Sequence, residues 1–140
     1  MQVVLGGTFD HLHVGHRKLL TTAILVARSR LVVGVTHDHM LVHKANKHLI
    51  QSFPKRCQAV RAFVHSVNPA LNLDIVPIRD MYGPTVSDPS LMAIVVSSET
   101  AANAEKINAE RVRRRMDPMA VVSLARVSAV SSSFLRTAQS

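Results

Sequence analysis

GGTFDHLHVGH, residues 6 to 16, follows directly on the apolar run Val3-Val4-Leu5 and precedes a stretch of helical periodicity. The order is a strand, a tight glycine-rich turn and a helix. Glycines at the end of a strand let a ligand phosphate approach the backbone closely. A helix start placed directly after them offers unpaired N–H groups and the positive end of a dipole. His13 and His16, three residues apart at that helix start, can address the same phosphate.

Working outward, Met1 to Leu5 reads as a short buried strand, β-branched and bounded by glycine. A helix is expected from about Val14 to Arg30, with Leu19, Leu20, Ala23, Ile24 and Ala27 on one face. Leu31 to Thr36 is a second buried strand. The polar stretch His37 to Phe53 leaves its C-terminal end, where open α/β sheets place ligands. Pro54 opens a helix well, with Cys57, Val60, Phe63, Val64 and Val67 as its apolar face. Leu73 to Ile78 is a third strand, Arg79 to Ser90 a loop, Leu91 to Val96 a fourth strand. Ser97 to Thr100 opens a long helix reaching about Arg115. Met119 to Ala125 is a fifth strand, and Ser131-Ser132-Ser133 caps a short final helix. Apolar strands alternating with helices predict a doubly wound, Rossmann-like five-stranded parallel sheet with helices on both faces. No repeat or linker divides the chain, so residues 1–140 are expected to form one domain. Gly6–His16, Ser97–Thr100 and Ser131–Arg136 all leave strand C-termini and can face one crevice.

Composition narrows the function. Apolar residues make up 47% of the 140, which suits a globular chain, and no apolar run is long enough to span a bilayer. The chain enters a strand at once, leaving no room for a signal peptide, and a lone cysteine, Cys57, suits a reducing compartment. A cytoplasmic setting is expected. The formal charge of +8 attracts anions. Binders of single-stranded nucleic acid interleave basic residues with stacking aromatics, and this chain has one Tyr and no Trp. Small polyphosphates are therefore the expected partners, not nucleic acid or membrane. Nothing marks an assembly face, and a monomer is expected.

The segment with His13, Gly15 and His16, preceded by Gly7-Thr8-Phe9-Asp10, resembles the first signature of the nucleotidylyltransferase superfamily. VSSSFLR, Val130 to Arg136, resembles the second, with Ser133 where the wider motif often has threonine. Between them YGPTVSDPSL (Tyr82 to Leu91), VVSSET (Val95 to Thr100) and Ile107-Asn108 followed by Arg111 resemble one branch, the phosphopantetheine adenylyltransferases of eukaryotic and archaeal type. The resemblance implies adenylyl transfer from ATP to 4′-phosphopantetheine, giving dephospho-coenzyme A and pyrophosphate. Mg²⁺ would accompany ATP, without a dedicated set of protein ligands.

The same resemblance assigns roles. Thr8 would bond the α-phosphate or the incoming phosphate, and His16 would donate to the phosphate as it becomes pentavalent. His13 would support the ATP phosphates, with Gly7, Phe9 and Gly15 beside it; for each histidine the alternative is a helix-start residue satisfied by backbone. Lys44 would bind the substrate phosphate, with Lys47 as its rival. Ser131, Ser132, Ser133 and Arg136 suit the β- and γ-phosphates. Ser98 and Glu99 would approach adenine and ribose, and Asn108 and Arg111 would face the site from one helix. Bacterial members carry arginines near Ser97–Thr100 and this chain has none, so Asp80, Tyr82 or the Gly83–Pro89 loop would help to hold phosphopantetheine. A sister transferase for another phosphorylated small molecule, or a non-catalytic phosphate- or RNA-binding module, is the rival reading. His37, His39, His43 and His48 lack the cysteines and spacing of a structural zinc site. Arg113 to Arg115 read as a solvated helix end.

Overall fold

The computed structural model describes residues 1–38, 49–80, 82–98 and 100–123. Five strands, β1 (Gln2–Gly7), β2 (Arg30–Thr36), β3 (Asn72–Ile78), β4 (Ala93–Val96) and β5 (Ala120–Ser123), form one sheet. Their order is β3-β2-β1-β4-β5 and every neighbouring pair is parallel. The helices among the described residues are α1 (Val14–Val26), α2 (Phe53–Val67) and α3 (Ala101–Arg113), and a 3-10 turn lies at Gly83–Val86. The chain winds outward from β1 to β3, then returns and winds the other way through β4 and β5. The crevice at that reversal lies beyond the C-terminal ends of β1 and β4. No described helix is long and apolar enough to cross a membrane.

Each strand alternates between two cores. Val3, Leu5, Leu31, Val33 and Val35 pack with Leu20, Ala23 and Ile24 of α1 and Val60 and Val64 of α2. Val4, Val32, Ile94 and Val96 pack on the other face with Ala104 and Ile107 of α3 and Val86 and Leu91 beside the 3-10 turn. Two covered faces explain why β1, β2 and β4 read as unbroken apolar runs. Burial of each such side chain contributes about 1.5–3 kcal/mol. The expected α1 face is buried from Leu19 to Ala27. On α2 the buried stripe is Arg56, Val60 and Val64, while Val67 is exposed, because the helix ends there and Asn68 turns the chain away. Cys57 is half-buried, and burial pushes its thiol pKa up, as for a structural cysteine.

Several bounds differ from the sequence-based expectation, through strand pairing at α1 and β1 and through a side-chain turn at α3. α1 stops at Val26, because Ala27 is extended and Arg30 is drawn into β2 opposite Gln2. There Arg30 donates to Asp74 (2.8 Å), Gln2 (2.8 Å) and Asp88 (3.1 Å), tying the N-terminal ends of the strands together. β1 runs on to Gly7, paired with Val35. The glycines are therefore strand residues, and the tight turn comes after them. Its left-handed residues are Phe9 (φ 53) and His11 (φ 45). α3 begins at Ala101, since Thr100 Oγ1 accepts from the Ser97 N–H (3.0 Å) in a turn ahead of the helix. The expected final helix lies outside the described residues.

Gly6 and Gly34 are partners in the ladder, and Ile78 of β3 lies over both. A Cβ would stand 3.0 Å from Ile78 Cδ1 at position 6 and 2.6 Å from it at position 34. Gly34→Ala is expected to cost about 1–3 kcal/mol of stability through overpacking, measured by urea denaturation. Adding Ile78→Ala should remove most of that increment, seen as a coupling energy in the double-mutant cycle.

Candidate active site

β1 delivers Gly6, Gly7 and Thr8 to the crevice, and the chain then folds back through Phe9. The Phe9 ring is buried against Gly7, where a Cβ would meet it at 3.3 Å, and lies 5.6 Å from the His16 ring. Asp10 Oδ1 accepts from the Gln51 N–H (2.8 Å), and the His11 N–H donates to Gln51 Oε1 (2.9 Å). The turn is thus anchored to the stretch that leads into α2.

His13 is the N-cap of α1. Its Nδ1 accepts from the Gly15 N–H (3.1 Å), while His16 Nδ1 accepts from the His13 N–H (3.2 Å). The two imidazoles stack, 3.8 Å between centroids and 20° apart in plane. This is a reciprocal capping box made of two histidines in place of the usual hydroxyl and carboxylate. Gly15 follows from it, because a Cβ there would stand 3.0 Å from His13 Cε1. The Gly15 N–H is engaged by the cap. With both Nδ1 atoms accepting, each neutral ring carries its proton on Nε2 and presents a donor away from the helix.

Beside Thr8 opens a cavity of about 440 Å³ on the α3 face of the sheet. Its floor is Gly6, Gly34 and Ile78; Thr100, Asn103 and Ile107 wall one side and Tyr82, Pro84 and Thr85 the other. Asp80 stands at its rim, where its Oδ1 accepts from the Tyr82 (3.0 Å) and Gly83 (2.8 Å) N–H groups. The structure therefore brings together Gly7, Thr8, Asp80 and Tyr82 at one cavity, with Phe9, His13 and His16 on the adjoining turn. Ser98 lies in the turn between β4 and α3. Lys44, Lys47, Glu99, Ser131, Ser132, Ser133 and Arg136 lie outside the described residues, as do His39, His43 and His48.

Asn108 and Arg111 depart from the expectation that they face the nucleotide. The Asn108 amide clips Met119, donating to its carbonyl (2.9 Å) and accepting from its N–H (2.8 Å). Arg111 is fully buried and donates only to carbonyls, those of Thr85, Asp88, Leu91 and Asp117. Burial lowers its pKa, against the pull of Asp88 and Asp117. Its chemistry is the fixing of the Thr85–Leu91 loop, and so of the cavity wall. Arg113 and Arg114 pair with Glu110 and hold its carboxyl at about 2.

The sequence reading missed Arg56. It is fully buried at the first turn of α2 and donates to the carbonyls of Gln51 (2.9 Å), Thr8 (3.0 Å) and Thr36 (2.7 Å) and to Asp38 Oδ1 (2.6 Å). One signal existed: Arg56 precedes Val60 and Val64 at intervals of four on the apolar stripe.

Comparison with known proteins bears on the family and the fold. The profile of the cytidylyltransferase-like family matches residues 4–138. A phosphopantetheine adenylyltransferase of Saccharomyces cerevisiae is 42% identical over 117 residues, which are 84% of this chain and 38% of that protein. The chain thus spans well under half the length of that yeast relative. A phosphopantetheine adenylyltransferase of Methanopyrus kandleri is 42% identical over 86% of this chain and 76% of its own length. A solved Archaeoglobus fulgidus protein of unknown function superposes with a TM-score of 0.80 at 32% identity, covering 95% of this chain and 94% of that one.

Burial first, then the neighbouring His13, pulls the His16 pKa below its ordinary 6.5, with Asp10 opposing. The folded state therefore binds this proton less readily than the unfolded chain does. The stabilisation is complete above about pH 6.5 and is lost as pH falls through the lowered native value. Thermal unfolding at about pH 7.5 and pH 5 should show a larger acid loss in the wild type than in His16→Asn, which keeps an acceptor but does not titrate.

Proposed function

We propose that this chain, which belongs to the cytidylyltransferase-like family, transfers an adenylyl group from ATP to 4′-phosphopantetheine. An oxygen of the acceptor phosphate bonds to the α-phosphorus, the bond from that phosphorus to the bridging oxygen breaks, and pyrophosphate leaves with dephospho-coenzyme A as product. The observation that carries the reading is the position of Thr8. It lines the cavity and also opens the turn that ends in the two histidine donors. An acceptor seated in the cavity with its phosphate at Thr8 then meets a nucleotide phosphate at the start of α1. The relatives named above support the choice of acceptor.

The attacking phosphate is already largely dianionic near neutral pH, so no strong base is needed. Catalysis rests on alignment and on neutralising charge at the α-phosphate. In this reading the Nε2–H of His16 bonds the pentavalent phosphate and that of His13 the ATP chain, as neutral donors. Gly7 and the Phe9 N–H line the approach. Lys44, with Lys47 as its rival, holds the acceptor phosphate; Ser131, Ser132, Ser133 and Arg136 hold the β- and γ-phosphates. Ser98 and Glu99 meet the nucleoside. The apolar floor with Tyr82, Asn103 and Thr100 around it suits an extended arm that carries amides. Arg111 acts indirectly, through the Thr85 side of the cavity wall, and Asn108 through its clip on Met119 ahead of β5.

Mg²⁺ would enter with ATP and offset phosphate charge there. Asp10 and Asp80, carboxylates next to the site, each have one oxygen engaged by backbone N–H groups, and their second oxygens could meet the ion's water shell. We read residues 1–140 as one nucleotidylyltransferase domain, monomeric and cytoplasmic, acting on small anions and not on nucleic acid or membrane. A cavity of this size supports the small-molecule part of that reading.

Pyrophosphate release from Mg-ATP with 4′-phosphopantetheine tests the reading. His16→Ala is expected to lower kcat by about 10²–10³-fold, and other phosphate acceptors should give no release. Release with a different acceptor alone would replace the substrate; silence with every acceptor would overturn the reaction.

A further inference from the structure

We propose that Arg56 is a positioning residue for phosphate binding: its hold on the Thr8 carbonyl turns the Thr8–Phe9 peptide so that the Phe9 N–H faces an anion. The proposal rests on the nucleotidyl-transfer reading above. A trans peptide directs its C=O and N–H to opposite sides, and none of the described peptides is cis. The Thr8 carbonyl is drawn to Arg56 on the α2 side (3.0 Å), so the Phe9 N–H is aimed away from α2. Phe9 is 1% exposed, yet its N–H donates to none of the described residues. Buried N–H groups without a partner are rare and call for one.

Phe9 also holds a left-handed conformation, φ 53, which a bulky residue keeps only when its surroundings enforce it. Arg56 is the enforcing contact. Its Nη1 joins the Thr8 and Thr36 carbonyls just past the last β1–β2 ladder pair, Gly7 with Val35. Its Nε and Nη2 fix the Gln51 carbonyl and Asp38, on the far side of the same turn. Burying a guanidinium is costly, and an apolar side chain in line with Val60 and Val64 would serve stability alone as well or better. Only a planar fork reaches all four acceptors at once. The arrangement is that of a device for orientation.

Isothermal titration of Mg-ATP and of pyrophosphate tests this, because misfolded protein lowers the stoichiometry whereas a misdirected N–H raises Kd. Arg56→Met and Arg56→Lys are each expected to raise both Kd values by about tenfold or more at unchanged stoichiometry. The affinity for unphosphorylated pantetheine should change by less than that for Mg-ATP, within about threefold, since Arg56 meets the cavity only through the Thr8 and Thr36 carbonyls. Unchanged Kd values with reduced stoichiometry or Tm would show a purely structural arginine and overturn the proposal. Should both variants fail to fold, Asp38→Ala, at an exposed carboxylate, removes that anchor from Arg56. It is expected to raise the Mg-ATP Kd by about threefold, and no change there would equally overturn the proposal. Wild-type protein that binds neither Mg-ATP nor pyrophosphate would overturn the parent reading, and this one with it. Wild-type binding and turnover with Arg56 variants of equal Kd would remove this proposal alone.

Discussion

The end of a parallel sheet leaves main-chain carbonyls that no neighbouring strand satisfies, and here buried guanidinium groups answer them. Arg56 gathers the carbonyls of Thr8, Thr36 and Gln51. Arg111 gathers those of Thr85, Asp88, Leu91 and Asp117. Each cation is tolerated in the interior because its donors are nearly all used, and each would be costly if a partner were lost. The two residues stand on opposite faces of the sheet, Arg56 on α2 beside the turn after β1 and Arg111 on α3 at the segments that lead into β4 and β5. One sets the turn after β1, the other the wall that faces it across the cavity.

The histidine pair shows the same economy at the start of α1. His13 and His16 begin the helix and also supply its outward donors. Helix geometry and phosphate chemistry are therefore one requirement on one stretch of chain. Gly7 and Gly15 complete it for steric reasons: one admits the Phe9 ring and the other the His13 ring. The four-residue signature is in this sense a packing solution as well as a proposed set of ligands.

Much of this was legible in the sequence. Strands and helices were visible because apolar blocks alternate with amphipathic ones and glycine or proline marks their limits. The limits moved where pairing outweighed local preference, as at Arg30 and Gly7. The helix-start histidines were legible because residue type and position both mattered. Arg56 and Arg111 were not, for a common reason. Their partners are backbone carbonyls, which every residue has and no sequence pattern marks. An arginine on an amphipathic helix looks the same whether it meets solvent, ligand or main chain. Asn108 and Arg111 were read as ligand-facing from their spacing, and spacing alone does not tell which neighbour lies opposite.

The stacked imidazoles carry one further consequence, for metals. Two histidines 3.8 Å apart invite chelation of a transition ion. Coordination through Nε2 would require its lone pair, and so a proton on Nδ1, the atom that now accepts a backbone N–H. Coordination through Nδ1 would displace that N–H outright. Either way the ion would have to uncap α1 before it gained its ligands. Chelation would thus have to displace the histidine cap, at a cost of about 1 kcal/mol to the helix start.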